Sequence, residues 1–256
     1  MKKRLLMVAL LLCARAEAKL IQRTIEYKDG QVILEGYLAY DDDIHGPRPG
    51  ILVVHEWNGL GHYVKGRADQ LASLGYVAFA PDIYGKGVRP DTFDACKAES
   101  GKFYADRALL RRRVNLGLDQ LRKVPDVDPQ KIAAIGYCFG GSTVLELGRS
   151  GANVAGIVTF HGGLDNPNPA DAKNIKAKVL VCQGGADQFT LKSLPAFKKE
   201  MDEAKVGYRV IEYKGAVHGF TNPDNKGTVP GLKYDLKADK SSWKAMRDFF
   251  KKIFKS

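Results

Sequence analysis

KIAAIGYCFGGSTVLELGRS, residues 131–150, reads as a strand, a sharp turn and a helix. Ile132-Ala133-Ala134-Ile135 has the length and branching of a buried parallel strand. Ser142–Arg149 carries the helical pattern that follows it. Between them, Gly136-Tyr137-Cys138-Phe139-Gly140 matches the G-x-S-x-G nucleophile elbow, with cysteine in the place of serine. The residue at the tip of such a turn has a strained backbone, and glycine on each side removes the Cβ atoms that would obstruct it. A thiol held there stands at a helix N-terminus, whose partial positive charge favours the thiolate. A cysteine after an apolar strand is otherwise just a small buried residue. The paired glycines, the strand before and the helix after favour a nucleophile.

Outward from the elbow the same alternation repeats. Pro49–His55 and Tyr76–Ala80 are apolar runs upstream, the second stopped by Pro81; Val154–Phe160, Val179–Gln183 and Tyr208–Tyr213 follow downstream. Gly61–Leu74 shows a helical stripe at Val64, Ala68, Leu71 and Ala72, and Tyr104–Lys123 one at Leu110, Val114, Leu118 and Leu121. A short helix over the site is expected at Asp91–Ser100, and further helices at Leu191–Ala204 and Lys237–Phe254. Arg23–Lys28 and Gln31–Tyr40 alternate about Asp29-Gly30, a hairpin signal. The pattern predicts an α/β fold with a mostly parallel central sheet and helices on both faces. Ligands in such sheets bind beyond the carboxyl ends of the strands. No linker or repeat interrupts residues 19–256, which are expected to form one domain.

A nucleophile needs a base, and the base needs a group to orient it. Asp187 follows the Val179–Gln183 strand in Gly184-Gly185-Ala186-Asp187, and His218 follows the Tyr208–Tyr213 strand in Val217-His218-Gly219-Phe220. Cys138, Asp187 and His218 thus lie on three loops at one rim of the sheet, in the order nucleophile, acid, histidine. Each alone is an ordinary loop residue; the ordered set is far more specific.

With these motifs the sequence resembles the dienelactone hydrolase family, from about residue 25 to the C-terminus. Gly136–Gly141, Pro81-Asp82-Ile83-Tyr84, the Asp187 loop and Val217–Phe220 carry the resemblance. It implies the α/β-hydrolase fold and hydrolysis of a small-molecule ester or lactone through a thioester. Cys138 would be the nucleophile, His218 the base and Asp187 the residue that holds the imidazole. Family members carry a glutamate that contacts the resting thiol, and Glu56 matches it. The oxyanion hole would be the backbone N–H groups of Trp57 and Phe139. Tyr84, Lys86 and Arg89 are the substrate-binding candidates. Lys86 stands where the archetype has an arginine for its substrate's carboxylate, and Gly219-Phe220-Thr221-Asn222 offers no second arginine. Lysine lacks the bidentate fork, which weakens the expectation of a carboxylate-bearing substrate. Acyl transfer or carbon–carbon bond hydrolysis on the same scaffold, and a binding or redox protein with a vestigial triad, are the competing readings.

Composition narrows the partners. Lys2-Lys3-Arg4, the apolar Leu5–Cys13 and Ala16-Glu17-Ala18 read as a secretory signal, too short to span a bilayer, so export to the periplasm or outside is expected, with cleavage near Ala18. Removing residues 1–18 from the 256 leaves 238, and removes a net three of the +11 charge to leave +8. The basic residues are scattered over predicted helices without a nucleic-acid motif, so no nucleic-acid partner is expected. Stable membrane insertion is not expected either. His45, His55 and His62 share no metal-ligand spacing, and nothing requires a cofactor or a metal. Cys96, Cys138 and Cys182 remain after cleavage, an odd count that leaves open a Cys96–Cys182 bridge or three buried thiols. The oligomeric state is open, a monomer being the simpler expectation.

Overall fold

The computed structural model describes residues 19–255. The signal-peptide reading of residues 1–18 therefore lies outside the described residues. Ten strands and six α-helices follow in chain order: β1 (Leu20–Asp29), β2 (Val32–Asp41), β3 (Arg48–Val54), α1 (His62–Ala72), β4 (Val77–Ala80), α2 (Phe93–Ala105), α3 (Arg107–Arg122), β5 (Val127–Tyr137), α4 (Phe139–Arg149), β6 (Gly156–Phe160), β7 (Lys178–Gly184), α5 (Leu194–Glu203), β8 (Tyr208–Tyr213), β9 (Lys226–Val229), β10 (Leu232–Lys233) and α6 (Leu236–Ile253). Eight of the strands form one sheet in the order β1-β2-β4-β3-β5-β6-β7-β8. The pairs from β4 onward are parallel, and β1 and β2 join antiparallel at one edge. This is the α/β-hydrolase fold.

Neighbouring strand residues face opposite ways, and the sheet shows it directly. Ile51, Val53, Ala133 and Ile135 join the core under α1 and α6. Leu52, Val54, Ile132 and Ala134 join the core under α3, α4 and α5. Strands buried on both faces read as unbroken apolar runs, which is why their positions are plain in the sequence.

Two stretches differ from expectation. The helix predicted over Tyr104–Lys123 is two helices, because α2 runs on past Ser100 to Ala105 and Asp106 interrupts. Asp106 leaves helical geometry (φ −118°, ψ 86°), and its side chain accepts from Leu109 N to start α3. Aspartate favours such a cap over a helix interior. Residues 221–234, for which the sequence suggests no element, contain the β9–β10 hairpin, tied back to the neighbouring loop by a parallel bridge from Leu232 to His218. Among the described residues no helix is long and apolar enough to cross a membrane.

Candidate active site

β5 delivers Cys138 to the rim, and the chain reverses there into α4. Cys138 has φ 53° and ψ −115°, outside the regions open to most side chains. Gly136 and Gly140 permit it: a Cβ on Gly136 would collide with the Gly140 carbonyl, and one on Gly140 with the Val54 carbonyl at the end of β3. Cys138 N donates to Phe160 O at 3.0 Å, which fixes the turn to β6.

His218 Nε2 lies 3.1 Å from Cys138 Sγ, and His218 Nδ1 2.8 Å from Asp187 Oδ2. Asp187 is itself held by the N–H groups of Phe189 and Thr190 and, at 2.7 Å, by the Thr190 hydroxyl. The His218 loop is held by the hairpin: His218 N donates to Gly231 O at 3.0 Å, and Lys233 N to His218 O at 3.1 Å. The imidazole packs edge-on between Phe189 and His161, with centroids 5.5 and 5.2 Å away.

Burial works against a charged His218, but the facing sulfur and the Asp187 carboxylate overcome it and raise its pKa to about 10. Asp187 is likewise pushed up by burial, and its hydrogen bonds to His218, Thr190 and Phe189 N carry it below the usual carboxylate range. A protonated His218 at this distance favours negative charge on Sγ.

Cys138, His218, Glu56 and Trp57 line one cavity of about 590 Å³. Phe139 opens α4, where helix geometry leaves the first N–H groups without intrahelical acceptors. Trp57 lies on the loop after β3, with its carbonyl accepting from Tyr84 Oη at 2.9 Å.

The sequence model of the dienelactone hydrolase family matches residues 34–254. This chain belongs to the dienelactone hydrolase family. A solved structure described as the dienelactone hydrolase-like promiscuous phosphotriesterase P91, from metagenomic libraries, superposes with a TM-score of 0.88 at 40% identity, covering 91% of this chain and 98% of that one. Another, named m3DLH, superposes with a TM-score of 0.89 at 38% identity and covers the same shares of each chain. A relative from Aquifex aeolicus, provisionally named a carboxymethylenebutenolidase, is 25% identical over 90% of this chain and 98% of its own.

Within this family member, several expected contacts are absent. Glu56 makes no hydrogen bond to the thiol: its Oε2 accepts from Asn222 Nδ2 at 2.6 Å, while the sulfur faces His218. Burial raises the Glu56 pKa, opposed by Asn222 and by the charge of His218. Lys86 is outside the cavity. The turn that carries it hydrogen-bonds to β2 through Lys86 N and Ile33 O, so its ammonium pairs with Glu26 and with Glu35 on the outer face. Arg89 spends its guanidinium on the carbonyls of Leu60, Val88 and Gly85 and on Asp82. Tyr84 is buried against Phe103, His55 and Phe139, with its hydroxyl committed to the Trp57 loop. None of the three lines the cavity that holds Cys138. Nor is there a Cys96–Cys182 bridge; both thiols are free and buried, Cys96 facing Pro90 O and Cys182 facing Tyr213 Oη.

The structure also adds residues that sequence reasoning missed. Asn222, Thr190, Phe189, Phe93 and Tyr104 all line the cavity. Thr190, three residues beyond Asp187, is the one with a local signal, because a hydroxyl at that spacing folds back onto the carboxylate. Phe189 comes from the same loop, Phe93 and Tyr104 from opposite ends of α2, and Asn222 from the loop after His218, none with a motif spacing.

Proposed function

We propose that this chain hydrolyses small-molecule esters or lactones through a thioester on Cys138. The relay from Asp187 through His218 to Cys138, open to a cavity of about 590 Å³, is the observation that carries this reading. Cys138 Sγ attacks the substrate's carbonyl carbon, and the carbonyl π electrons move to oxygen. The N–H groups of Trp57 and Phe139 receive that oxyanion, a contribution for which one donor typically accounts for about 10²–10³ in rate. As the tetrahedral intermediate collapses, the C–O bond breaks and the departing alkoxide takes the proton from His218. In a lactone that alcohol stays attached to the acyl chain. His218 next deprotonates a water, which attacks the thioester; the second collapse breaks the C–S bond and returns the sulfur as thiolate beside the imidazolium.

Turnover of 4-nitrophenyl butanoate tests the reading. Cys138→Ala is expected to lower kcat/KM by about 10⁴ or more, while Cys96→Ala and Cys182→Ala stay within about 3-fold of wild type. Equal losses in all three variants, or full activity in Cys138→Ala, would overturn it. Adding methanol to the same assay separates hydrolysis from acyl transfer: a methyl ester as the main product at low methanol favours transfer.

A further inference from the structure

The cleft in front of Cys138 has a charge character unlike that of the chain around it. The chain as a whole carries +11, a field that draws anions from a distance. Yet among the described residues no lysine or arginine lines the cavity; its ionisable side chains are Glu56, Asp165, Asp224, His62, His218, Cys138 and the tyrosines Tyr63 and Tyr104. The nearby basic side chains already have acidic partners. His62 Nε2 is 2.7 Å from Asp224 Oδ2, and His218 Nδ1 is 2.8 Å from Asp187 Oδ2. Arg107, in the adjoining groove, donates Nη2 to Asp165 Oδ2 at 2.8 Å and lies over the Tyr104 ring; its Nε and Nη1 are buried without a partner and do not face the cavity.

The rest of the wall is aromatic and aliphatic. Phe93 and Phe189 line the cavity although they are 55% and 54% exposed, and Val229, at 37%, stands with them. Trp57 meets Phe93 edge to face at 5.0 Å. Large apolar side chains grouped at the mouth of a cleft mark a surface that an apolar partner covers.

We infer that the site takes hydrophobic esters whose acyl group is uncharged or cationic, and discriminates against those bearing a carboxylate. This rests on the hydrolase reading above. A carboxylate entering the cleft gives up its hydration. It meets no lysine or arginine on the cavity wall in return, and the nearby Arg107 and His62 are already paired with Asp165 and Asp224. The positive surface does not reverse this, because salt screens charges beyond about 8–10 Å. Distant charge changes how often an anion arrives; the groups within contact distance decide whether it stays. A quaternary ammonium loses less, because the aromatic side chains of Trp57, Phe93 and Phe189 on the same wall receive a cation.

Three 4-nitrophenyl esters of matched length test this: hydrogen adipate, methyl adipate and 6-(trimethylammonio)hexanoate. Each enzymatic rate is divided by the rate of the same ester in hydroxide, to remove intrinsic reactivity. The expected kcat/KM for the free carboxylate is about 100-fold below that of the methyl ester, with the ammonium ester within about 10-fold of it. Asp165→Asn with Asp224→Asn is expected to narrow the carboxylate gap by about 5-fold or more. A carboxylate ester turned over as fast as the methyl ester overturns the inference while leaving the hydrolase reading intact. If instead no ester is hydrolysed, the hydrolase reading fails and the inference is still measured by binding. Protection of the Cys138 thiol from iodoacetamide by N-phenylhexanamide, but not by 5-(phenylcarbamoyl)pentanoate, supports it. Equal protection by the two overturns it.

Discussion

His218 holds its proton because two negative partners outweigh its burial. Such a group contributes stability that is complete below its ordinary pKa, about 6.5, and is lost as pH rises through its folded value of about 10. If the imidazolium is also the acid that protonates the leaving group, kcat should fall along the same alkaline limb. Asp187 is one of the two partners that raise the pKa, so replacing it lowers the value. Asp187→Asn is expected to move the alkaline limb of kcat down by about 1–3 pH units. A pH profile of ester turnover measures the shift, and an unmoved limb would detach Asp187 from the histidine's titration. Cys138, Asp187 and His218 are legible as neighbours in the sequence because each follows its own strand, and a parallel sheet brings those strand ends to one rim. The partners of Glu56 are not legible in that way. Asn222 reaches Glu56 across 166 residues of chain, through a loop whose path is set by the β9–β10 hairpin, and short polar strands carry little periodic signal.

Elements hold their places here through buried charge as well as apolar packing. Arg149, the last residue of α4, is 1% exposed. It donates to Glu146 at 3.0 Å, to Glu200 of α5 at 2.9 and 2.7 Å, and to the carbonyls of Leu164 and Asp165. One side chain thus joins the elbow helix, α5 and the loop that carries Asp165 into the cleft. Arg149→Met keeps the bulk but leaves two buried carboxylates without that partner, and breaking such a set is expected to cost about 3–5 kcal/mol. Urea unfolding checks this, and a loss under about 1 kcal/mol would show that Arg111, which also pairs with Glu146 at 2.7 Å, suffices alone. The sequence shows α4 by its pattern but not this joint, because an arginine ending a helix looks the same whether solvated or buried. The misplacement of Lys86 and Arg89 has a related cause. A motif places the turn, while the backbone hydrogen bond from Lys86 to Ile33 and the nearby carbonyls decide where each cation points.

Among the described residues, the fold sorts three thiols into different chemical fates. Cys182 sits in the middle of β7 with no exposure, and burial pushes its pKa up to about 12. Cys96 is buried on α2, and burial raises its thiol as well. Cys138 opens onto the active-site cavity and faces His218, whereas Cys96, although it lines a neighbouring groove, is 4% exposed and held against Pro90 O. Alkylation requires both a thiolate and a path for the reagent. In the folded protein at pH 7, iodoacetamide is therefore expected to modify Cys138 first, while Cys96 and Cys182 react only as the sheet opens. Peptide mass mapping after a short pulse should find label at Cys138, with the other two reached in guanidinium. His218→Gln should slow the pulse by removing the cation that favours the thiolate, and leave the other two thiols as protected as before. Rapid labelling of Cys96 in the folded wild type would instead mean that α2 lifts away from the rim. The aromatic wall formed by Trp57 and Phe93 would then be a moving part of the cleft rather than a fixed one.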